Sequence, residues 1–218
     1  MKKLTKEQAI LADRLFDRGA IKFGAFKLKL HEKNPDAPLS PIYITLRTPE
    51  NGGPLINADV TAIGQELFRV AERNGVEFDL ITGIPRAGEP FAAVVSQLSG
   101  KPLLKLGKKI EADRRKIDSI ISGECRSGQR VLLIDDLVTQ ADTKKEAIKV
   151  CEEAGLTAVA VIVLVDRQQG GTEELKVAGY NLYAAFSLSV LLDRYVEIGV
   201  IDQAKREETM AYIAANRV

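Results

Sequence analysis

Val131-Leu-Leu-Ile-Asp-Asp-Leu-Val-Thr-Gln-Ala-Asp-Thr143 opens on four apolar residues, sets two acids side by side, and closes on a polar run leading into Lys144-Lys-Glu-Ala-Ile. The apolar run reads as a buried strand and the polar run as the turn that starts a helix. A strand ending in Asp135 and Asp136 presents two carboxylates at the carboxyl edge of a sheet. There they can hydrogen-bond sugar hydroxyls or hold a hydrated divalent cation. The turn and the helix start offer backbone N–H groups to a phosphate. Together these chemistries suit a phosphorylated sugar; the plainer alternative is that Asp136 only caps a strand-to-helix turn.

Outward from this stretch, helices and apolar strands alternate. The pattern predicts a helix from Ala58 to Asn74, a strand over Leu80-Ile-Thr-Gly, a helix from about Glu89 to Leu98 and a strand over Pro102-Leu-Leu-Lys-Leu. A charged connection follows, then the strand Val131–Ile134, a helix to Ala154, and the strand from Ala158 to Val165. Near-continuous apolar strands separated by helices indicate an α/β fold whose parallel sheet is covered on both faces, with ligands beyond the carboxyl ends of its strands. Upstream, Thr5 caps an amphipathic helix ending near Gly19, and an alternating strand from Phe23, the turn from Asn34 and the strand Ile42-Tyr-Ile-Thr-Leu form a small lid. Downstream, Leu188 to Arg217 reads as two helices split near Gly199-Val-Ile-Asp202. The expected organisation is residues 1–56 as N-terminal helix and hood, 57–187 as α/β core, and 188–218 as C-terminal helices packed on the same domain.

Composition narrows the partners. The 218 residues carry 31 Lys+Arg against 30 Asp+Glu, a net charge of +1, with 45% apolar and 28% charged residues. This is an ordinary globular balance, not that of a disordered or membrane chain, and it argues against a nucleic-acid binder. The apolar run from Ala158 to Val165 is far short of the roughly 20 residues of a membrane helix. No apolar signal core follows Met1-Lys-Lys-Leu-Thr-Lys, so a cytoplasmic location is expected. Cys125, Cys151 and the single His31 provide neither a disulfide framework nor a zinc site.

The segment 131–143 resembles the phosphoribosyl-pyrophosphate (PRPP) motif of type I phosphoribosyltransferases, in which apolar residues, two acids and Thr-Thr-Gly-Gly-Ser/Thr follow in order. Four further segments are similar to the orotate phosphoribosyltransferase branch, including the domain fused to orotidylate decarboxylase in animals. They are Leu15-Phe-Asp-Arg-Gly-Ala-Ile-Lys-Phe-Gly-Ala-Phe-Lys-Leu-Lys29, Ser40-Pro-Ile-Tyr-Ile-Thr-Leu-Arg47, Thr82-Gly-Ile-Pro-Arg-Ala-Gly88 and Leu164-Val-Asp-Arg-Gln-Gln-Gly-Gly171. The resemblance spans about residues 5 to 200. It implies a type I phosphoribosyltransferase-like fold, a central parallel sheet flanked by helices with a small N-terminal hood.

By the same resemblance, Lys29 approaches the PRPP phosphate and the orotate ring, and Ser40, Pro41 and Tyr43 belong to the hood turn over the base. Thr82 to Gly88 matches the pyrophosphate loop, where Arg86 adds a fork of donors suited to phosphate. Arg167 matches the arginine that holds orotate, and its planar guanidinium can face a carboxylated pyrimidine with parallel hydrogen bonds. Asp135 and Asp136 would hold the ribose hydroxyls directly or through hydrated metal, so their contact with Mg²⁺ is indirect.

Two departures stand out. Where the family has glycines, the turn reads Thr139, Gln140, Ala141, Asp142, Thr143; it is still expected to take the 5′-phosphate through its N–H groups and the two hydroxyls. Asp142 would repel phosphate unless protonated or turned outward as a helix N-cap, and Lys144 is placed to offset some charge. The catalytic loop is the second departure. Six basic and two acidic residues lie between Lys105 and Lys116. Lys108 or Lys109 stands for the catalytic lysine, and Arg114, Arg115 or Lys116 for the later cations, with a solvated charged hairpin as the plainer reading. The resemblance implies an enzyme of pyrimidine biosynthesis, a glycosyltransferase (pentosyltransferase) acting on PRPP and orotate with Mg²⁺ as a homodimer. The rivals are a phosphoribosyltransferase for another base and a catalytically silent nucleotide-binding protein.

Overall fold

The computed structural model describes residues 4–27, 34–111 and 114–217. These divide into two compact units, one from Met1–Ile56 with Leu188–Arg217 and one from Asn57–Ser187. The C-terminal helices thus group with the N-terminal segment.

In the first unit, α1 (Lys6–Asp17) starts in a capping box, where Thr5 Oγ1 accepts from Gln8 N and Gln8 Oε1 from Thr5 N. Strands β1 (Ile21–Phe26) and β2 (Ser40–Ile44) pair antiparallel. Helices α6 (Leu188–Glu197) and α7 (Gln203–Ala215) complete the unit. Tyr195 is its anchor: fully buried beside Phe16 and Phe23, it donates its hydroxyl to Ala12 O at 2.9 Å. Arg194 grips Asp13 with two parallel bonds of 2.8 and 2.7 Å.

The second unit runs α2 (Asn57–Arg73), β3 (Leu80–Gly83), α3 (Glu89–Ser99), β4 (Leu103–Glu111), β5 (Arg114–Ser122), β6 (Arg130–Val138), α4 (Asp142–Glu153), β7 (Thr157–Asp166), α5 (Gly171–Val177) and β8 (Leu182–Ser187). Its sheet order is β5-β4-β3-β6-β7-β8, parallel except for the β4–β5 pair. The expected all-parallel sheet therefore needs correcting at one edge. The charged connection after Leu106 is an antiparallel hairpin, because Leu106 and Ile117 are buried while Lys105, Lys108, Lys109 and Lys116 stay exposed. Strand β6 also continues four residues past Ile134, so Asp135 and Asp136 lie within a strand and not just beyond one.

Both faces are covered. On one, Leu80, Leu104, Leu106, Ile117, Val131, Leu133 and Val163 pack against Ala147, Ile148 and Cys151 of α4. On the other, α2 and α3 bury Ile63, Leu67, Phe91 and Val95. At the amino end of the central pair, Arg130 clips β6 to Asp79 ahead of β3 through Nε (3.1 Å) and Nη2 (3.0 Å). From β3 the chain moves to β4 on one side, whereas from β6 it moves to β7 and β8 on the other. The switch point between β3 and β6 is where an open α/β sheet leaves a crevice for a ligand. No helix among the described residues is long and apolar enough to cross a membrane.

Candidate active site

Three segments meet at the carboxyl ends of β3, β6 and β7. Along β6 the side chains alternate, so Asp135 follows Val131 and Leu133 onto the α4 face. There it is buried, and its Oδ2 lies 2.7 Å from Lys144 Nζ, itself buried in the first turn of α4. The same ammonium donates to Leu137 O at 2.7 Å. Asp136 is half-buried and accepts from Leu137 N at 2.8 Å. Loss of hydration pushes its carboxyl up to about 7, the neighbouring Asp135 adds to the rise, and Lys144 opposes it.

The turn beyond is glycine-free and compact. Ala141 is the N-cap residue of α4, fully buried in αR geometry with no side-chain cap, and Asp142 is the exposed first residue of the helix. Asp142 is thus exposed, and it is not the N-cap that the sequence reading offered. Thr143 is half-buried, Thr139 likewise, and Gln140 is exposed.

The β3 loop rests on this strand end. Thr82 is buried and donates to Leu104 O at 3.1 Å. Ile84 N donates to Ile134 O at 2.8 Å and Gly88 N to Ile84 O at 3.0 Å, which turns the loop tightly and leaves Arg86 exposed at its tip. The Pro85–Arg86 peptide bond is cis. Gly88 is required by close approach: a Cβ there would lie 2.2 Å from Ile134 O and 3.0 Å from Asp135 Cα.

Beyond β7, Arg167 is 8% exposed, so it is a buried residue and not the surface arginine that its charge alone suggests. Its N–H donates to Val138 O at 3.0 Å, and Gly171 N donates to Thr139 O at 3.0 Å. A Cβ on Gly171 would sit 2.6 Å from Val138 Cγ2 and 2.9 Å from Thr139 O. Asp166 is occupied by Gln168 N (2.7 Å) and Thr172 Oγ1 (2.9 Å), which closes the turn.

The remaining candidates are on other elements or outside the described residues. Lys108 and Lys109 stand exposed on β4, opposite Ile117 and Lys116 of β5. Directly paired residues share a face, so Lys108 takes the face of buried Ile117 and Lys109 the other. Tyr43 is on β2 of the first unit, 38% exposed, with its ring 5.6 Å from that of Phe26. Lys29 and the side chains of Arg114 and Arg115 lie outside the described residues.

Lys144, expected only to offset some charge near the turn, has Asp135 and the Leu137 carbonyl of β6 as its partners, which the sequence reading did not name. The signal was present: Lys144 precedes Ala147, Ile148 and Cys151 by three, four and seven positions, which puts a lysine on the apolar stripe of α4.

Among the described residues no group of three or more His, Cys, Asp or Glu gathers as a metal cage. A half-buried carboxylate such as Asp136 suits a hydrated Mg²⁺ carried mainly by a substrate's own phosphates. Its raised pKa also has a consequence for stability. The folded state favours the neutral form, so the contribution is complete below the ordinary value of 3.8 and is lost as pH rises through about 7. Melting of the ligand-free protein followed from pH 4 to 8 should therefore fall more steeply for the parent than for Asp136→Asn; parallel curves would refute this environment for Asp136.

The chain matches the phosphoribosyl transferase domain family over residues 53–180, more than half its length. It is 30% identical over 214 residues to the uridine 5′-monophosphate synthase of Bos taurus, covering 94% of this chain but 42% of that protein. To the orotate phosphoribosyltransferase of Pyrobaculum aerophilum it is 32% identical over 188 residues, covering 83% of this chain and 86% of the relative. The solved UMP synthase of Leishmania donovani superposes with a TM-score of 0.77 at 32% identity, over 95% of this chain and 42% of that one. A matched domain, an archaeal relative aligned over most of its length, and a switch-point site at β3, β6 and β7 agree: the chain belongs to the phosphoribosyl transferase family, in its orotate phosphoribosyltransferase branch.

Proposed function

We propose that this chain transfers the ribose 5-phosphate unit of PRPP to N1 of orotate, releasing pyrophosphate and forming orotidine 5′-monophosphate in pyrimidine biosynthesis. The observation that carries this reading is the meeting of three unlike groups at adjacent strand ends: an acid pair with its turn on β6, an exposed arginine on a tight loop after β3, and a buried arginine after β7.

Each group answers one part of the substrates. The turn from Thr139 to Thr143 takes the 5′-phosphate with backbone N–H groups and hydroxyls. Asp136 faces the ribose hydroxyls, and Arg86 with Lys108 or Lys109 neutralises the departing pyrophosphate. Arg167 orients orotate, and the family resemblance alone adds Lys29 and Tyr43 as candidates for the base. As the C1–O bond to pyrophosphate breaks and the C1–N1 bond forms, positive charge develops on the ribose. Catalysis then consists of positioning, leaving-group stabilisation and exclusion of water. Mg²⁺, when bound, would supply charge neutralisation at the pyrophosphate, and Asp136 would hold its hydration shell, while Asp135, expected to share that role, is buried against Lys144. A cytoplasmic homodimer is part of the same proposal; the free Cys125 and Cys151 fit a reducing compartment.

Pyrophosphate release from purified protein, PRPP, Mg²⁺ and a panel of bases tests this. Turnover with orotate alone is expected. Turnover with a different base, or nucleotide binding with no turnover on any base, would replace the reading; the glycine-free turn is the observation that keeps the second outcome in view.

A further inference from the structure

We propose that Lys144 is a positioning residue that braces the 5′-phosphate turn from inside and thereby sets affinity for the ribose 5-phosphate half of the substrate. The inference rests on the site reading above and adds to it a residue from which no catalytic contact is required.

The turn between β6 and α4 has lost the usual means of holding its shape. It contains no glycine to adopt unusual backbone angles, and its N-cap Ala141 has no side chain that can accept from the first helical N–H groups. Its conformation is fixed from other directions. Three consecutive carbonyls are each held by a donor outside the turn: Leu137 O by Lys144 Nζ at 2.7 Å, Val138 O by Arg167 N at 3.0 Å and Thr139 O by Gly171 N at 3.0 Å. With these carbonyls drawn into the protein, the N–H groups of the turn and of the first turn of α4 remain for a ligand.

Of the three donors, Lys144 is the side chain, and its ammonium also reaches Asp135 Oδ2 at 2.7 Å. One ammonium therefore ties two residues of β6 to the start of α4 and closes a ring around the turn. Both members of the ion pair are more than nine-tenths buried, so the geometry is shielded from solvent and held tightly. The pairing also divides the acidic residues. Asp135 is committed to the α4 side, and Asp136, half-buried, is left to face the sugar.

Lys144→Met keeps the stem and removes the donor. Because it leaves the buried Asp135 carboxylate without its countercharge, with Asp136 N still donating to Oδ1 at 2.9 Å, it is paired with the double variant Asp135→Asn/Lys144→Met, in which the uncompensated charge is gone, and both are compared with Asp135→Asn alone. Binding of ribose 5-phosphate is measured by calorimetry without metal, alongside KM for PRPP and orotate and the melting temperature. Loss of a charged hydrogen bond predicts about a tenfold or greater drop in ribose 5-phosphate affinity for Lys144→Met and a matching rise in KM for PRPP. The KM for orotate should stay within about twofold. In the double variant melting should recover towards the parent, while ribose 5-phosphate affinity stays below that of Asp135→Asn.

Equal weakening of both substrates in step with melting would overturn the proposal, as would a double variant that binds ribose 5-phosphate as well as Asp135→Asn does. A parent protein that neither binds ribose 5-phosphate nor releases pyrophosphate would instead remove the site reading itself, and this inference with it.

Discussion

Arg167→Ala is expected to weaken orotate binding by about two to three orders of magnitude while PRPP binds as in the parent. The side chain is buried at the exit of β7, so a planar carboxylated ring placed there meets a guanidinium that has already lost most of its water. Truncating one partner of a buried charged pair costs about 2–5 kcal/mol, roughly 30-fold to several-thousand-fold in affinity. The backbone role of Arg167, donation of its N–H to Val138 O, survives the substitution, so the turn after β6 keeps that support. Arg167→Lys should fall between the two, since it keeps the charge and loses the fork. Calorimetric titration with each ligand decides the matter: if Arg167→Ala binds orotate like the parent, the arginine does not hold the base.

Gly88→Ala should be as damaging by a wholly different route. The added methyl would stand 2.2 Å from Ile134 O and 2.9 Å from Ile84 N, both backbone atoms, so no side chain can swing aside to make room. Either the β3 loop lifts from β6 or the strand end shifts beneath it. Overpacking of this kind costs about 1–3 kcal/mol or more. Because Ile134 immediately precedes the acidic pair, turnover should fall at least about a hundredfold, beyond what the loss of melting temperature accounts for. Arg86→Ala at the exposed tip of the same loop should lower turnover and leave melting unchanged. A Gly88→Ala protein that melts and turns over like the parent would show that the contact with β6 does not matter.

The alternation of helices and strands was legible because buried parallel strands are written as apolar runs. Leu80–Gly83 was placed to the residue, and α2 and α3 to within a residue at each end. The β4–β5 hairpin was read only as the plainer alternative for the charged loop and its strands past Leu106 were not placed, since the charge of exposed Lys105, Lys108, Lys109 and Lys116 hides the alternation of Leu104, Leu106 and Ile117. Strand β8 was missed because Leu182, Tyr183 and Ala184 are only half-buried at a sheet edge. In the site, residue types and order pointed to Asp136, Arg86 and Arg167. They did not disclose the pairing of Asp135 with Lys144, which depends on how the first turn of a helix packs against the face of a strand.

The switch point that makes the crevice also dictates when it can exist. Leu80 pairs with Val131, and the Asp79–Arg130 clip beside them joins residues 51 apart in the chain. Closing so long a loop comes before any reward from the central pairing, which slows folding of such topologies. During synthesis β3 has no β6 to lie against until the ribosome has passed Val138, and the exposed apolar strand must wait for it. The site therefore cannot assemble before β6 is made, and a chain cut short before β6 would carry Arg86 and the whole loop after β3 without the acid pair and turn beside them.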